Sequence, residues 1–156
     1  LRQLVISIDT PPQEQRDILR TIRSDAVESQ ALIDAQSYSV SDDVAEYDDV
    51  EVMAVASPGD LRRIGILTTK ALTRWSDADV PIAVCVHSLS NLLDAVGDSQ
   101  RVFRFLHILH GRIRAAGARA HFHLDPTRHD EQTVRTFYSL FDAVATFDAD
   151  GSVTLD

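Results

Sequence analysis

"SQRVFRFLHILHGRIRAAGARAHFHLD", residues 99–125, changes its hydrophobic period part-way along. Val102, Leu106, Leu109 and Ile113 recur at the spacing of one helix face, Ser99 stands where a cap is wanted, and Gly117 is placed to stop the helix near Ala116. From there "RAHFHLD", residues 119–125, reads as a strand. Upstream, "PIAVCV", residues 81–86, has the length and apolar density of a buried strand, and it runs on into "HSLSNLLDAV", residues 87–96, a short helix. Strand, helices, strand in this order is the unit from which parallel sheets are built.

The same alternation extends outward. "RQLVISID", residues 2–9, is a third apolar run, stopped by Thr10-Pro11-Pro12 and followed by a helix over about 13–23. "VEVMAVAS", residues 50–57, is a fourth. The "SPGD" after it, residues 57–60, has the Ser-x-x-Asp and early-proline pattern that opens a helix, here expected over 58–75 with Trp75 in the core. Residues 24–49 are polar, acidic and weakly periodic, with a short helix expected near 26–33 and an extended piece near 36–40. After residue 125 a helix is expected over 130–140. "AVATF" and "SVTLD" around Asp150-Gly151 then read as a closing hairpin. The expected fold is α/β, with three layers: a mostly parallel, twisted sheet with helices on both faces, a C-terminal hairpin, and ligand sites at the carboxyl ends of the strands. At 156 residues the chain is expected to form a single domain, residues 1–156.

Composition bounds the function. A hydrophobic share of 44% and a charged share of 25% are those of a globular protein, and no apolar run approaches the roughly 18 residues of a membrane span. The net charge of −9 disfavours a nucleic-acid binder, which gains affinity by neutralising phosphates. Cys85 is the only cysteine, which excludes an internal disulfide or a multi-thiolate zinc site and fits a cytoplasmic protein. Aspartate far outnumbers glutamate, and Lys70 is the only lysine beside fourteen arginines. That balance suggests a salt-loving archaeal source or, alternatively, a GC-rich genome. The chain opens at Leu1 almost directly on a strand, which leads to the expectation of a fragment or of part of a longer native chain.

Three segments carry a family resemblance: "LVISIDTPPQEQRDIL" from residue 4, "VCVHSLSNLL" from residue 84, and the stretch from Arg101 to Val144. Together they resemble the RecA-like ATPase core of the KaiC group, most closely its uncharacterised haloarchaeal relatives, from residue 2 to about 147. The resemblance implies a twisted RecA/P-loop-NTPase-like sheet whose subunits pack with one another. Departures are equally informative. RecA-like ATPases hold phosphates in a GxxxxGK[ST] loop, and this chain has none; Lys70 follows no glycine-rich turn and is expected mid-helix. The strand matching residues 81–86 ends, in the family, in an aspartate that positions Mg²⁺, whereas here it continues into His87-Ser88, and imidazole is a poor ligand for so hard a cation. Asp9 matches the place of the family's water-activating glutamate, and reads either as a residual general base or, preferentially, as a cap on the next helix.

Other candidates come from the residues themselves. In a strand, His121, His123 and Asp125 share one face at about 7 Å intervals, which suits metal ligation with His129 as a fourth ligand. Against that, the strand is expected to be covered by helices on both faces, and an aspartate before Pro126 is an ordinary turn residue. His87 can share the same edge as a proton carrier. Ser88 has a base beside it but no GxSxG elbow, so a hydrolase triad is not expected. Arg104, His107, Gly111 and Arg114 form a basic stripe on the long helix, read first as its solvated face.

The expectation is a degenerate RecA/KaiC-like domain that acts as a non-hydrolysing interaction or regulatory module. It would use no cofactor, make contact with a protein partner or with itself, and have no membrane or nucleic-acid role. The alternatives are an ATPase domain binding ATP and Mg²⁺ through a phosphate loop upstream of Leu1, with Asp9, His87 and Ser88 near the nucleotide, and a metal-dependent hydrolase built on His121, His123 and Asp125.

Overall fold

A computed structural model describes residues 1–36, 49–76 and 79–156, in two compact units, Leu1–Leu124 and Asp125–Asp156. The first unit is an α/β layer structure. Its five strands are β1 (Arg2–Ile8), β2 (Ser29–Ala35), β3 (Val50–Val55), β4 (Ile82–His87) and β5 (Arg119–Phe122), all parallel, in the order β3-β2-β1-β4-β5. The connecting helices are α1 (Pro12–Ile22), α2 (Leu61–Trp75), α3 (Leu89–Val96) and α4 (Ser99–Ala115). Among the described residues no helix is long and apolar enough to cross a membrane.

Period-2 alternation divides the central strands between two faces. Leu4, Ile6 and Ile8 of β1, with Ala31, Ile33 and Ala35 of β2 and Val84 and Val86 of β4, are all at most 2% exposed and form the densely apolar face. Helices α2, α3 and α4 lie over the sheet, and the core stripe Val102, Leu106, Leu109 and Ile113 of α4 is fully buried as its spacing predicts. Arg104, His107, Gly111 and Arg114 are exposed on the opposite side. Gly117, at φ +66, ends α4 by donating to Arg114 while Ala118 donates to Ile113, the paired bonds of a left-handed helix stop.

The other face carries α1 and is layered in rows. Gln3 and Gln30 form a lower polar row, Val5, Leu32 and Cys85 pack with Leu19 of α1 in the middle, and Ser7, Asp34 and His87 make an upper polar row. Gln15 of α1 donates to Ser7 Oγ at 3.2 Å and Asp34 Oδ1 at 2.9 Å, and Gln36 donates to the same carboxylate oxygen at 2.8 Å. These bonds make burial of the upper row tolerable.

Several expected elements shift. The helix expected near 26–33 is strand β2, because pairing with β1 buries both faces of Ser29–Ala35 and overrides the local helix propensity of its alanines and leucine. The extended piece near 36–40 lies almost wholly outside the described residues. Helix α2 starts at Leu61 rather than 58, since Asp60 accepts Arg63 N–H at 3.0 Å and supplies the cap that Ser57 was expected to supply. Likewise Asp98, not Ser99, caps α4, accepting from Gln100 and Arg101. Trp75 is buried at the end of α2, and Lys70 is mid-helix, both as expected. Strand β5 stops at Phe122, three residues short of the expected end, and it is an edge strand with alternately exposed residues rather than one covered on both faces.

In the second unit, Asp125 caps a single 3-10 turn, Pro126–Arg128, and Asp130 caps α5 (Glu131–Tyr138). The expected hairpin is present as β6 (Ala145–Phe147) and β7 (Val153–Leu155), antiparallel, with Gly151 at φ +86 in the turn.

Candidate functional site at the carboxyl edge of the sheet

Strand order fixes where a site can form. From β1 the chain travels through α1 to β2 on one side, and from β4 through α3 and α4 to β5 on the other, so a crevice opens beyond the carboxyl ends of β1 and β4. Asp9, Thr10, His87 and Ser88 all lie there.

Each is held in a definite way. Asp9 sits at φ +47, a left-handed conformation that aspartate tolerates in turns, and its N–H donates to Ala35 O at 2.7 Å. The cap position of α1 is Pro11, two residues beyond Asp9, and Pro11 makes no side-chain cap bond. Thr10 is buried and its hydroxyl donates back to Ile8 O at 3.2 Å. Asn91 of α3 reaches the same carbonyl at 2.8 Å. His87 Nε2 lies 3.3 Å from Glu14 Oε1 of α1. Ser88 Oγ caps α3 by accepting Asn91 N–H at 3.1 Å, so this hydroxyl is engaged structurally rather than poised as a nucleophile.

Helix starts facing this crevice are where an anion would be received. At α1, Pro11 and Pro12 have no N–H to offer, and Glu14 places a negative charge in the first turn. At α3, the Leu89 N–H is taken by His123 O at 2.8 Å and the Asn91 N–H by Ser88. Among the described residues, these two helix starts thus offer a phosphate few donors, and α1 sets an acid where positive charge is needed.

Toward β5 the composition changes. Cys85 pairs in register with His121, and the His123 N–H still donates to Val86 O at 3.1 Å, which carries the row one step beyond the strand, beside His87. The His87 and His123 rings, and the His123 and His121 rings, meet edge to face with centroids 5.3 Å apart. Cys85, His121 and His123 each bring one ligand-type atom to within 4.8 Å of the others. Burial disfavours charge on both imidazoles, so their protonation is held below the usual histidine range although each ring is partly open to solvent; His123 is depressed further by its neighbours His121 and His87. The Cys85 thiol, backed by Val5, Leu19 and Leu32, is pushed up to about 11 by burial.

Asp125, beyond the end of β5, caps the Pro126–Arg128 turn. Its Oδ1 accepts the Thr127 N–H at 3.0 Å and hydroxyl at 2.6 Å, bonds that hold its carboxyl below the ordinary aspartate range. Sequence reasoning grouped the histidines with Asp125 and passed over Cys85 and Glu14. The signal for Cys85 was available in part, since it shares parity with His87, but its pairing with His121 depends on a strand register that spacing does not reveal.

A family model matches residues 2–147, from the first strand through the first strand of the hairpin. The chain belongs to DUF7504, a family of unknown function. No curated protein and no solved structure matches it. The DUF7504 match takes in every residue of the carboxyl edge, the paired prolines of α1 and the Cys85–His121–His123 cluster alike.

Proposed function

We propose that this DUF7504 chain is a RecA/KaiC-like domain that does not hydrolyse nucleotide and serves as a cytoplasmic interaction or regulatory module, contacting a protein partner or another copy of itself. What supports the reading most is the start of α1 beyond the carboxyl end of β1: two prolines remove N–H donors and Glu14 adds negative charge, so this helix start offers a phosphate no cradle. His87 stands where the resembling ATPases keep a magnesium-positioning aspartate, and it is turned to Glu14. The five-stranded parallel sheet with helices on its faces is compatible with the RecA type of core.

The test is calorimetry with ATP and Mg²⁺ at high salt on the complete native chain. The expected outcome is no heat of binding at micromolar to millimolar nucleotide. Micromolar binding accompanied by turnover would transfer the domain to an ATPase reading, with Asp9 as its base.

A further inference from the structure

The open half of the α1-bearing face holds a cluster that the interaction-module reading does not use. We propose that Cys85, His121 and His123 bind one borderline-soft transition-metal ion, Zn²⁺ foremost, with the fourth coordination position left to water or an outside ligand.

Topology assembles the three donors. Cys85 and His121 are register partners on adjacent parallel strands, and His123 lies two residues beyond His121 on the same side, so the three donors share one face of a hydrogen-bonded frame, the thiol buried and the two imidazoles at the surface. That frame is fixed on both sides of His123, whose N–H donates to Val86 O and whose carbonyl accepts from Leu89 N–H. Their ligand atoms already lie within 4.8 Å of one another. A tetrahedral zinc site with Zn–S near 2.3 Å and Zn–N near 2.0–2.1 Å needs these donors about 3.3–3.6 Å apart, so rotations that close the triangle by at most roughly 1.5 Å suffice. The two imidazoles stand at the surface, where such rotations meet least resistance.

Donor chemistry selects the ion. One thiolate and two imidazoles form a set that hard cations such as Mg²⁺ and Ca²⁺ leave unoccupied and that zinc and its neighbours favour. Behind the sulfur the wall is apolar, Val5, Leu19 and Leu32, and beside His123 stands the His87 ring, whose Nε2 remains on Glu14. Three protein ligands with an open position is the pattern of zinc sites that present the metal to another molecule rather than close over it.

The experiment uses the full chain, stripped with chelator and kept reduced with a non-thiol reductant, titrated with Co²⁺ and then with Zn²⁺ in competition. One equivalent of Co²⁺ is expected to develop the intense ligand-field absorption of a four-coordinate ion together with a thiolate-to-cobalt charge-transfer band, both erased by one equivalent of Zn²⁺. Cys85→Ser is expected to remove the charge-transfer band, and His121→Gln and His123→Gln each to weaken Zn²⁺ binding by at least about 10-fold, the lower end of what even supporting groups around a metal contribute. His121→Gln changes an exposed position, so it keeps the test decisive if Cys85→Ser disturbs the core. Absence of stoichiometric binding at micromolar metal overturns the assignment, as does binding that shows no thiolate band or is indifferent to the histidine variants. The nucleotide calorimetry above is read separately: a chain that binds zinc and ignores ATP supports both proposals, and one that binds neither sinks this one alone.

Discussion

On β1 and β2 the upper polar row is closed over by α1, whereas on β4 and β5 the continuation of that row stands partly open. Ser7 is 1% exposed, Asp34 0% and Gln15 2%, and Gln15 ties the other two together. His87 is half-buried and His123 exposed, and their rings lean on one another instead of being sealed by a helix. Both halves belong to one sheet face at one level. The difference is helix coverage: in the upper row α1 covers β1 and β2 with Gln15 and meets β4 through the exposed Glu14, while one row lower its Leu19 packs on Cys85. Where the helix lies overhead, polar side chains must satisfy each other internally; where it does not, the same positions are free to meet something from outside.

The largest effect is expected from breaking the closed half. Gln15→Leu removes the donor shared by Ser7 and Asp34 and leaves the carboxylate with Gln36 as its partner on Oδ1, while Oδ2 has no partner among the described residues. Urea unfolding of the full chain should show a loss of about 2–4 kcal/mol, the scale of leaving buried polar and charged groups unpaired. A loss below about 1 kcal/mol would mean that water reaches this row and that the two halves do not differ as described.

Much of this contrast was out of reach of sequence reading, for identifiable reasons. The apolar runs at residues 2–9 and 81–86 were legible as strands because burial leaves few polar interruptions, the run at 50–57 by its density of apolar residues although β3 is an edge strand with exposed positions, and α4 because a long amphipathic stripe admits only one period. β2 was not, since Ser29–Ala35 mixes Gln30 and Asp34 with helix-tolerant Ala31 and Leu32, and its polar residues make sense only once Gln3, Ser7 and Gln15 are beside them. The site was half legible. His87, Ser88, Asp9, His121 and His123 stand out by type, and four of the five lie at strand ends, His121 lying within β5. Cys85 looked like one more apolar core residue, and only the β4–β5 register brings it to His121. The strand expected to run to Asp125 ends at Phe122.

A smaller effect is expected at the open half. His123→Ala in metal-free protein removes an exposed ring while the backbone bonds from Leu89 and to Val86 persist, so stability should change by no more than about 0.5 kcal/mol. A loss comparable to that of Gln15→Leu would show the histidine row to be core in solution, and would withdraw the opening on which the metal assignment depends. A small loss without metal that becomes large in the presence of one equivalent of Zn²⁺ would sharpen the comparison, because only a bound ion links this ring to the stability of the fold.

The smallest effect belongs to Glu14, the residue next to Gln15 on the same helix turn. Glu14 reaches His87 at 3.3 Å, not very different from the 3.2 Å of Gln15 to Ser7, yet its side chain is more than half exposed, so the contact is made in a medium that screens it. An exposed pair of this kind is worth at most about 1 kcal/mol, and Glu14→Gln, which preserves shape and removes only charge, should cost about 0.3 kcal/mol at low salt and less at high salt. Two adjacent side chains would then differ several-fold in consequence at almost equal hydrogen-bond length, with desolvation as the variable that separates them. If Glu14→Gln instead cost as much as Gln15→Leu at every salt concentration, the His87 end of the row would have to be as dry as the Asp34 end, and coverage by α1 could no longer explain why one half of this face is sealed and the other accessible.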